Sequence, residues 1–378
     1  MIKIASLVSY QVIPAKMGGQ KGIYLFLQYL SKHCSLLCYT IKNNQPTGEE
    51  NFEIKNILGN SKFRYINLFY FFRLRKEFKN DKITHLIIEH PYYGWLGFLL
   101  KKFASVKLVV HSHNIESLRF RSTGKWWWGV LWWYERFTHR TADVNFFISE
   151  EDKKYAIEKF GLETSKCAVI TYGTEKNAAP AADEKLIAKK EVCATHHIET
   201  SDLLLLYNGT LNYPPNLKAL DFIIKQLAPS LEKNSNLKYS ILICGNKLPV
   251  EYNELADYKK HKIIYAGFVN DIDVYFKAAD IFLNPLSDGG GIKTKLVEAL
   301  AANNSAVSFS NGAIGVPVKI TGSKLFVVPD NDLAEFELQV DKATKTISDK
   351  IPDDFFGHFY WNNIAIKAAE FIQTINDN

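Results

Sequence analysis

The 378-residue chain is longer than one hydrophobic core usually carries and predicts two domains of roughly 150–200 residues each. Its 47% hydrophobic and 23% charged content is ordinary for a globular protein and excludes a disordered or fibrous chain. Forty-six basic against 40 acidic residues leave +6, too small a surplus to argue for a nucleic-acid partner but compatible with an anionic membrane surface.

From the N-terminus, residues 2–8 read as a first strand: the apolar run is too short for a signal peptide and has no small-residue cleavage site. Met17-Gly18-Gly19-Gln20-Lys21-Gly22 follows as a glycine-rich turn ahead of a helix over 23–30. Bare backbone there suits close approach to a phosphate or sugar as well as a plain turn. Residues 63–79 set Tyr65, Phe69, Tyr70, Phe71 and Phe72 beside Arg73, Arg75, Lys76 and Lys79. A strand over 83–88 leads into Glu89-His90-Pro91-Tyr92-Tyr93-Gly94, where His90 either lines a ligand site or caps a loop. A strand over 107–110 ends in His111-Ser112-His113-Asn114-Ile115-Glu116, polar residues at the carboxyl end of a strand, where open α/β sheets meet ligand.

Residues 119–140 hold five Trp (Trp126, Trp127, Trp128, Trp132, Trp133) among basic residues. Neighbours on a helix point about 100° apart, so three consecutive Trp cannot all enter one core, and at least one is expected at the surface. Trp and Tyr with Arg and Lys suit a membrane interface, here an anionic one. Single-stranded nucleic acid takes similar surfaces, but the modest charge argues against it. The longest apolar runs, 92–100 and 126–134, stop short of the ~18 residues a spanning helix needs. Five scattered Cys without a CxxC pair fit a reducing compartment. The expected location is the cytoplasm, with peripheral contact at the inner face of the cell membrane.

Further β-branched runs follow over 144–148, 168–171, 203–206, 239–243, 262–265, 281–283 and 306–309, with helical spacing over 151–160 and 216–231. Strands alternating with helices predict parallel sheets with right-handed crossovers. Strand signals stop over 176–200, a small and polar stretch. The expected fold class is therefore α/β, two doubly wound Rossmann-like domains over 1–180 and 181–358 facing across a cleft. Asp271-Ile272-Asp273 formally matches a metal–diphosphate signature but opens a helix over 272–278, where capping acids are expected. Cys193 with His196 and His197 lacks a second ligand pair at zinc spacing. No metal is expected.

The most informative segment runs from Asp288 to Asn303. Gly289, Gly290 and Gly291 sit between a strand and a helix, where free amide N–H groups and the positive helix end favour an anion. Lys293 and Lys295 lie at the wrong end of that helix for cations unless an anion lies between them. Glu298, three residues after Lys295, shares its face and suits a ribose diol.

This segment resembles the donor-binding segment of retaining family 4 glycosyltransferases of the GT-B fold. The same family's features recur in order at Gly18-Gly19, His113–Glu116, 148–152, Tyr172-Gly173-Thr174, 207–211 with Pro215-Asn216, 267–270 and Ala279-Asp280. The resemblance implies a nucleotide-diphosphate-sugar donor: Glu298 on the ribose, Lys295 and Lys293 on the diphosphate, and backbone near Phe268 and Val269 on the base. Gly18 and Gly19 would approach the diphosphate or sugar, His113 the donor sugar, and Gly209, Gly290 and Gly291 would line the donor. His113 and Lys295 are the expected catalytic pair, with His90 and Glu116 on the acceptor side. It further implies retention, no cofactor, a saccharide or lipid-linked acceptor of the cell envelope, and a tail helix (359–378) packed on the N-terminal domain. Two departures stand out. Gly290 occupies the first position of the family's Glu-x7-Glu pattern, and Thr210 and Pro215 occupy the places of an Arg and a Lys. The alternatives are a nucleotide-sugar epimerase or hydrolase of the same fold and a non-catalytic sugar-nucleotide-binding protein.

Overall fold

The computed structural model describes residues 2–15, 18–234 and 237–374. It divides into two units, Met1–Gly173 with Phe359–Asn378, and Thr174–His358. Each unit is built on one parallel sheet.

The first unit runs β1 (Lys3–Leu7), α1 (Gly18–Leu30), β2 (Ser35–Ile41), β3 (Glu53–Leu58), α2 (Phe69–Asp81), β4 (His85–Glu89), α3 (Gly94–Ala104), β5 (Lys107–Ser112), α4 (Glu116–Ser122), α5 (Trp128–Thr141), β6 (Val144–Phe147), α6 (Glu150–Tyr155) and β7 (Cys167–Val169). Its strand order is β3-β2-β1-β4-β5-β6-β7. Central strands covered on both faces must be apolar almost throughout, and β4 is buried at every position. Successive residues serve opposite faces. Leu86, Ile88, Leu108 and Val110 share a core with Leu74 and Phe78 of α2 and Leu96 and Leu100 of α3. His111 turns to the other face, against Phe26 of α1 at 4.7 Å between ring centroids. Helix α5 reaches α3 closely because Gly94 offers no side chain; a Cβ there would lie 1.8 Å from Thr138 Oγ1.

The second unit runs α7 (Ala182–His196), β8 (Leu203–Asn208), α8 (Pro214–Phe222), α9 (Ala228–Asn234), β9 (Tyr239–Cys244), β10 (Ile263–Gly267), α10 (Ile272–Ala278), β11 (Ile281–Asn284), α11 (Thr294–Ala301), β12 (Ser305–Phe309), β13 (Leu325–Val328), α12 (Leu333–Thr344) and α13 (Asp353–Phe359). Its strand order is β10-β9-β8-β11-β12-β13. Helix α14 (Trp361–Gln373) belongs to the first unit again and packs on α1, with Trp361 buried edge-on against Tyr172. Residues 375–378 of the anticipated tail lie outside the described residues.

In both sheets the order grows outward from the first strand and then resumes on its other side. A topological switch point therefore lies between β1 and β4, and another between β8 and β11. Chain leaving the carboxyl ends there diverges to opposite faces and leaves room for a ligand.

Strands β2, β3 and β13 carry no clear sequence signal. β3 and β13 are sheet edges with mixed exposure, so their patterns are not apolar runs. β2 buries Cys38 and Thr40, burial that packing imposes and composition does not announce. The helix read over 151–160 is α6 followed by a wider turn that Gly161 ends at φ +70°. The helix read over 216–231 starts earlier, with Pro214 in its first turn, whose fixed φ suits that place. The glycine turn 17–22 becomes the start of α1: Gly18 and Gly19 are already helical, and Met17 lies outside the described residues.

Candidate functional site

In the second unit, the carboxyl ends of β8, β9 and β10 are stitched together by glycines. Gly209 N donates to Cys244 O at 3.0 Å and Gly245 N to Gly267 O at 2.7 Å. A Cβ on Gly245 would stand 2.0 Å from Gly209 O, so only glycine allows this approach. Phe268 and Val269 follow Gly267, Phe268 exposed and Val269 half-buried.

Across the switch point, α11 starts at Thr294 with Lys293 in the capping position. Lys295 reaches back from its first turn, and its Nζ donates to Asn208 O at 2.7 Å and Asn216 Oδ1 at 3.0 Å. The same Nζ lies 4.9 Å from the centroid of the buried Tyr207 ring. Burial, then the neighbouring Lys293 charge, pushes the Lys295 ammonium down to about 7. Lys293 Nζ folds onto the glycine turn and donates to the carbonyls of Gly289 (2.8 Å), Gly290 (3.2 Å) and Gly291 (2.9 Å). Two cations at the positive end of a helix are thus held by carbonyl oxygens, neutral acceptors that an anion would outcompete. Glu298 lies one turn further on α11 and is half-buried.

Lys218, which sequence reasoning missed, joins this corner. Its Nζ donates to Asp288 Oδ2 at 2.8 Å, tying α8 to the glycine turn. The signal was present in the spacing: Lys218 stands three residues after Pro215 and so on its helical face. Asn216 contributes from the same helix, its Nδ2 donating to Thr210 O at 3.1 Å. Asp271 caps α10 by accepting from Asp273 N at 3.0 Å, and Asp273 pairs with Lys176 and with Lys277. Cys193 is buried, and His196 Nε2 bonds the Tyr275 hydroxyl at 3.0 Å.

In the first unit, β1, β4 and β5 bring a second cluster to their carboxyl ends. Glu89, fully buried, lies with Oε2 2.7 Å from His113 Nε2 and 3.0 Å from His111 Nδ1. Burial alone would raise the Glu89 carboxyl, but the two imidazoles outweigh it and hold it well below the usual range. Burial, then His111 and His90, lowers His113 to about 3, against the pull of Glu89. His113 is therefore neutral at pH 7. An ionised Glu89 fixes its proton on Nε2 and leaves Nδ1 as an acceptor for a ligand hydroxyl. Among the described residues, Glu89, His111 and His113 are the one group of three able to hold a metal ion.

His90 adopts φ 68° and ψ 158°, a region costly for any residue with a side chain. Its Nε2 bonds Tyr10 OH at 3.0 Å, and its Nδ1 lies 3.5 Å from Glu116 Oε1. Glu116 is enclosed, with Oε2 accepting from Tyr92 OH at 2.7 Å and from Arg119. Burial would raise its carboxyl, but His90 and Arg119 bring it down to about 2. Beneath it, Glu135 of α5 caps α4, accepting from Glu116 N at 2.8 Å, Ser117 N at 3.0 Å and the Ser117 hydroxyl at 2.7 Å. Glu89, Tyr10, Arg119 and Glu135 were not anticipated; only the position of Glu89 at a strand end hinted at its role. Gly18 and Gly19 lie exposed in the first turn of α1.

Two Rossmann-like parallel sheets, each with polar and basic groups gathered at its switch point, make up the GT-B fold. The profile of Glycosyltransferase Family 4 matches residues 18–177, and that of Glycosyl transferases group 1 matches residues 202–345. The chain belongs to the family 4 glycosyltransferases. It is 22% identical over 350 residues to the O-antigen biosynthesis glycosyltransferase WbnH of Escherichia coli, covering 92% of this chain and 90% of that one. A glycosyltransferase from Rickettsia africae superposes with a TM-score of 0.74 at 16% identity over 100% of this chain and 99% of the other. HepE from Anabaena, solved with UDP-glucose, gives 0.70 at 13% identity over 99% and 100%. WaaG, a glycosyltransferase involved in lipopolysaccharide biosynthesis, gives 0.63 at 14% over 98% and 99%.

Proposed function

We propose that the chain transfers a sugar from a nucleotide-diphosphate-sugar donor to a saccharide or lipid-linked acceptor in cell-envelope polysaccharide or glycolipid synthesis, with retention and without a metal. The observation that carries this reading is Lys295, drawn back over the end of β8 beside the amino end of α11, with Lys293 on the glycine turn. Both cations stand where a leaving diphosphate would gather charge, and the free N–H groups of α11 add to them. Removing one such donor typically costs about 10²–10³ in rate. Lys218 supplies a third cation to this corner, although Thr210 and Pro215 replace the basic pair common in the family.

The remaining roles follow from chemistry. Glu298 is proposed to accept from the ribose diol, and Gly209, Gly290 and Gly291 to let backbone meet the donor. Phe268 and Val269 are proposed to meet the base, and Gly18 and Gly19 the diphosphate. His113 is proposed to contact the transferred sugar through Nδ1, with Glu89 holding its tautomer. His90 and Glu116 shape the acceptor side, Glu116 by anchoring Arg119 and Tyr92 and not by direct exposure. The O-antigen relatives and the UDP-glucose complex of HepE make UDP-hexoses the first donors to try.

The purified chain, given a panel of UDP-, GDP- and ADP-sugars, is expected to release nucleotide, faster with a saccharide acceptor. The anomeric configuration of the product, read by proton NMR, tests retention. Undiminished turnover after chelation and dialysis tests the metal-free mechanism. Tight binding without turnover of any donor would replace this reading with a non-catalytic binding protein. Interconversion of donor sugars would replace it with an epimerase.

A further inference from the structure

Helix α5 is built inside out. The side chains it buries are Glu135, Thr138 and His139, whereas Val130, Trp133 and Phe137, spaced three and four apart, face outward. Trp126, just ahead of the helix, is 88% exposed. The buried polar groups have partners: Glu135 caps α4, Thr138 Oγ1 donates to Tyr134 O, and His139 Nδ1 bonds Asn145. Within the unit Phe137 meets Phe98 and Trp133 meets Trp132, yet Val130, Trp133 and Phe137 still leave much of their surface exposed. Exposed apolar surface of this extent marks an interaction site.

The stripe continues sideways. Helix α2 packs on α3, and α3 on α5, along one face of the sheet. Outward from α2 stand Phe69 and Phe72, at 80% and 65% exposure, preceded by Phe63, Ile66 and Leu68, while α3 exposes Phe103. Cations lie between them: Arg136 sits 5.6 Å over the Trp133 ring and Lys102 5.5 Å over that of Phe103. Residues 63–141 carry fourteen Lys and Arg against five Asp and Glu, a balance of +9 in a chain of +6, so the remainder is net acidic. Of the five acids, Glu89, Glu116 and Glu135 are buried, and Glu77 and Asp81 pair with Lys55. A second copy of this face would bring like charges together. Lys101 pairs with Asp143 and Arg119 with Glu116, but cations still exceed acids across this face, and aromatic rings among such an excess instead match an interface whose core is apolar and whose rim is phosphate. Among the described residues no helix is long and apolar enough to cross a membrane, so such contact would be lateral.

We propose that α2, α3 and α5 form a docking face for an anionic lipid bilayer, with Trp133, Phe137, Phe69 and Phe72 entering the headgroup boundary and the interleaved Arg and Lys meeting lipid phosphates. The docking stands apart from the sugar transfer proposed above. It would also bring a bilayer to the helix that holds Glu116 in place through Glu135, on the side assigned to a lipid-linked acceptor.

The test is flotation of the full chain with vesicles of phosphatidylcholine alone or mixed with phosphatidylglycerol, at low and high salt. Binding is expected to the mixed vesicles, about tenfold weaker to neutral ones and weaker at high salt. Trp133→Ala with Phe137→Ala, both exposed, should leave the thermal melt and UDP-glucose binding unchanged and weaken vesicle binding at least about tenfold. Arg75→Glu with Lys76→Glu should do the same by reversing charge alone. Equal binding to neutral and anionic vesicles, or binding that survives both double variants, overturns the proposal. So does a concentration-dependent dimer abolished by the Trp133/Phe137 variant, or tighter binding to a single-stranded oligonucleotide than to the vesicles.

Discussion

Lys295 offers a measurement that separates a phosphate ligand from a structural lysine. Its ammonium sits near pKa 7 against an ordinary 10.5 because burial, and then Lys293, disfavour the charge. A diphosphate beside it restores the charge, so binding above pH 7 must take up a proton. With the pKa moving from about 7 back to the ordinary range, affinity for UDP-glucose should fall about 30-fold between pH 6 and 8.5, or about 2 kcal/mol. A sugar nucleotide is the right probe because its diphosphate is a diester and does not titrate there. Tyr207, Cys244 and Tyr265, titratable groups at this strand end, are pushed up by burial, Cys244 to about 12, and stay neutral throughout. Calorimetry in two buffers of different ionisation enthalpy counts the proton directly, with close to one taken up at pH 8.5 and almost none at pH 6. Lys295→Ala should weaken binding at every pH and abolish the slope, while uridine binds equally well to both proteins. A flat pH profile with no proton uptake in the unsubstituted protein would refute the phosphate role.

Gly209→Ala tests whether the corner is tuned for ligand or for folding. The new Cβ would lie 2.9 Å from Asn216 Nδ2 and 3.1 Å from Lys295 Nζ, both ends of flexible side chains. Stability measured by urea unfolding should change by less than about 1 kcal/mol while UDP-glucose affinity drops about tenfold; a large loss of stability with affinity intact would reverse that assignment. Lys218→Ala should weaken UDP-glucose but not uridine, by about tenfold, with no change in the thermal melt; equal losses for both ligands would remove Lys218 from the phosphate site. Glu89→Gln should lower kcat/KM about 10²-fold and move the His113 proton from Nε2 to Nδ1, visible in imidazole ¹⁵N shifts; an unmoved proton would end the positioning role. Glu135 gives a stability test. Burial raises its carboxyl from 4.5 to about 7, so the folded chain holds that proton more tightly than the unfolded one. The stability it contributes is full below pH 4.5 and is lost as pH rises through 7, by about 3 kcal/mol. Comparing urea unfolding of the parent and Glu135→Gln at pH 5 and pH 8 isolates it, and a pH-independent difference would contradict the assignment.

The central strands and the Asp288–Asn303 segment were legible because both are local. A strand covered on two faces must be apolar along its length, and three glycines before a lysine-bearing helix form a pattern inside sixteen residues. Edge strands β3 and β13 were not legible, since half-covered strands need no apolar run. Nor was the wiring around the segment. That Lys295 reaches Asn208 depends on β8 and β11 lying side by side, and nothing in the spacing of residues 208 and 295 states this adjacency. The cluster around Glu89 failed to show for the same reason: its members come from β4 and β5, twenty-two to twenty-four residues apart, and only strand register unites them.

A depressed lysine is not in itself evidence for a site, and this chain contains its own control. Lys185 is also pushed to about 7, by burial first, yet its Nζ donates to Ala279 O, Ala302 O and Asn304 Oδ1. Those carbonyls end α10 and α11, where a cation completes the last turns and complements the negative helix end. Lys295 faces the opposite situation. It lies in the first turn of α11, where the helix field repels it and the N–H groups ask for an anion. One sheet thus carries two equally strained ammonium groups at its two ends. At the amino-end side the fold supplies everything the charge requires; at the carboxyl-end side it supplies neutral acceptors and leaves the counter-charge to the ligand. Lys185→Ala should therefore cost stability without a selective effect on UDP-glucose, and Lys295→Ala the reverse.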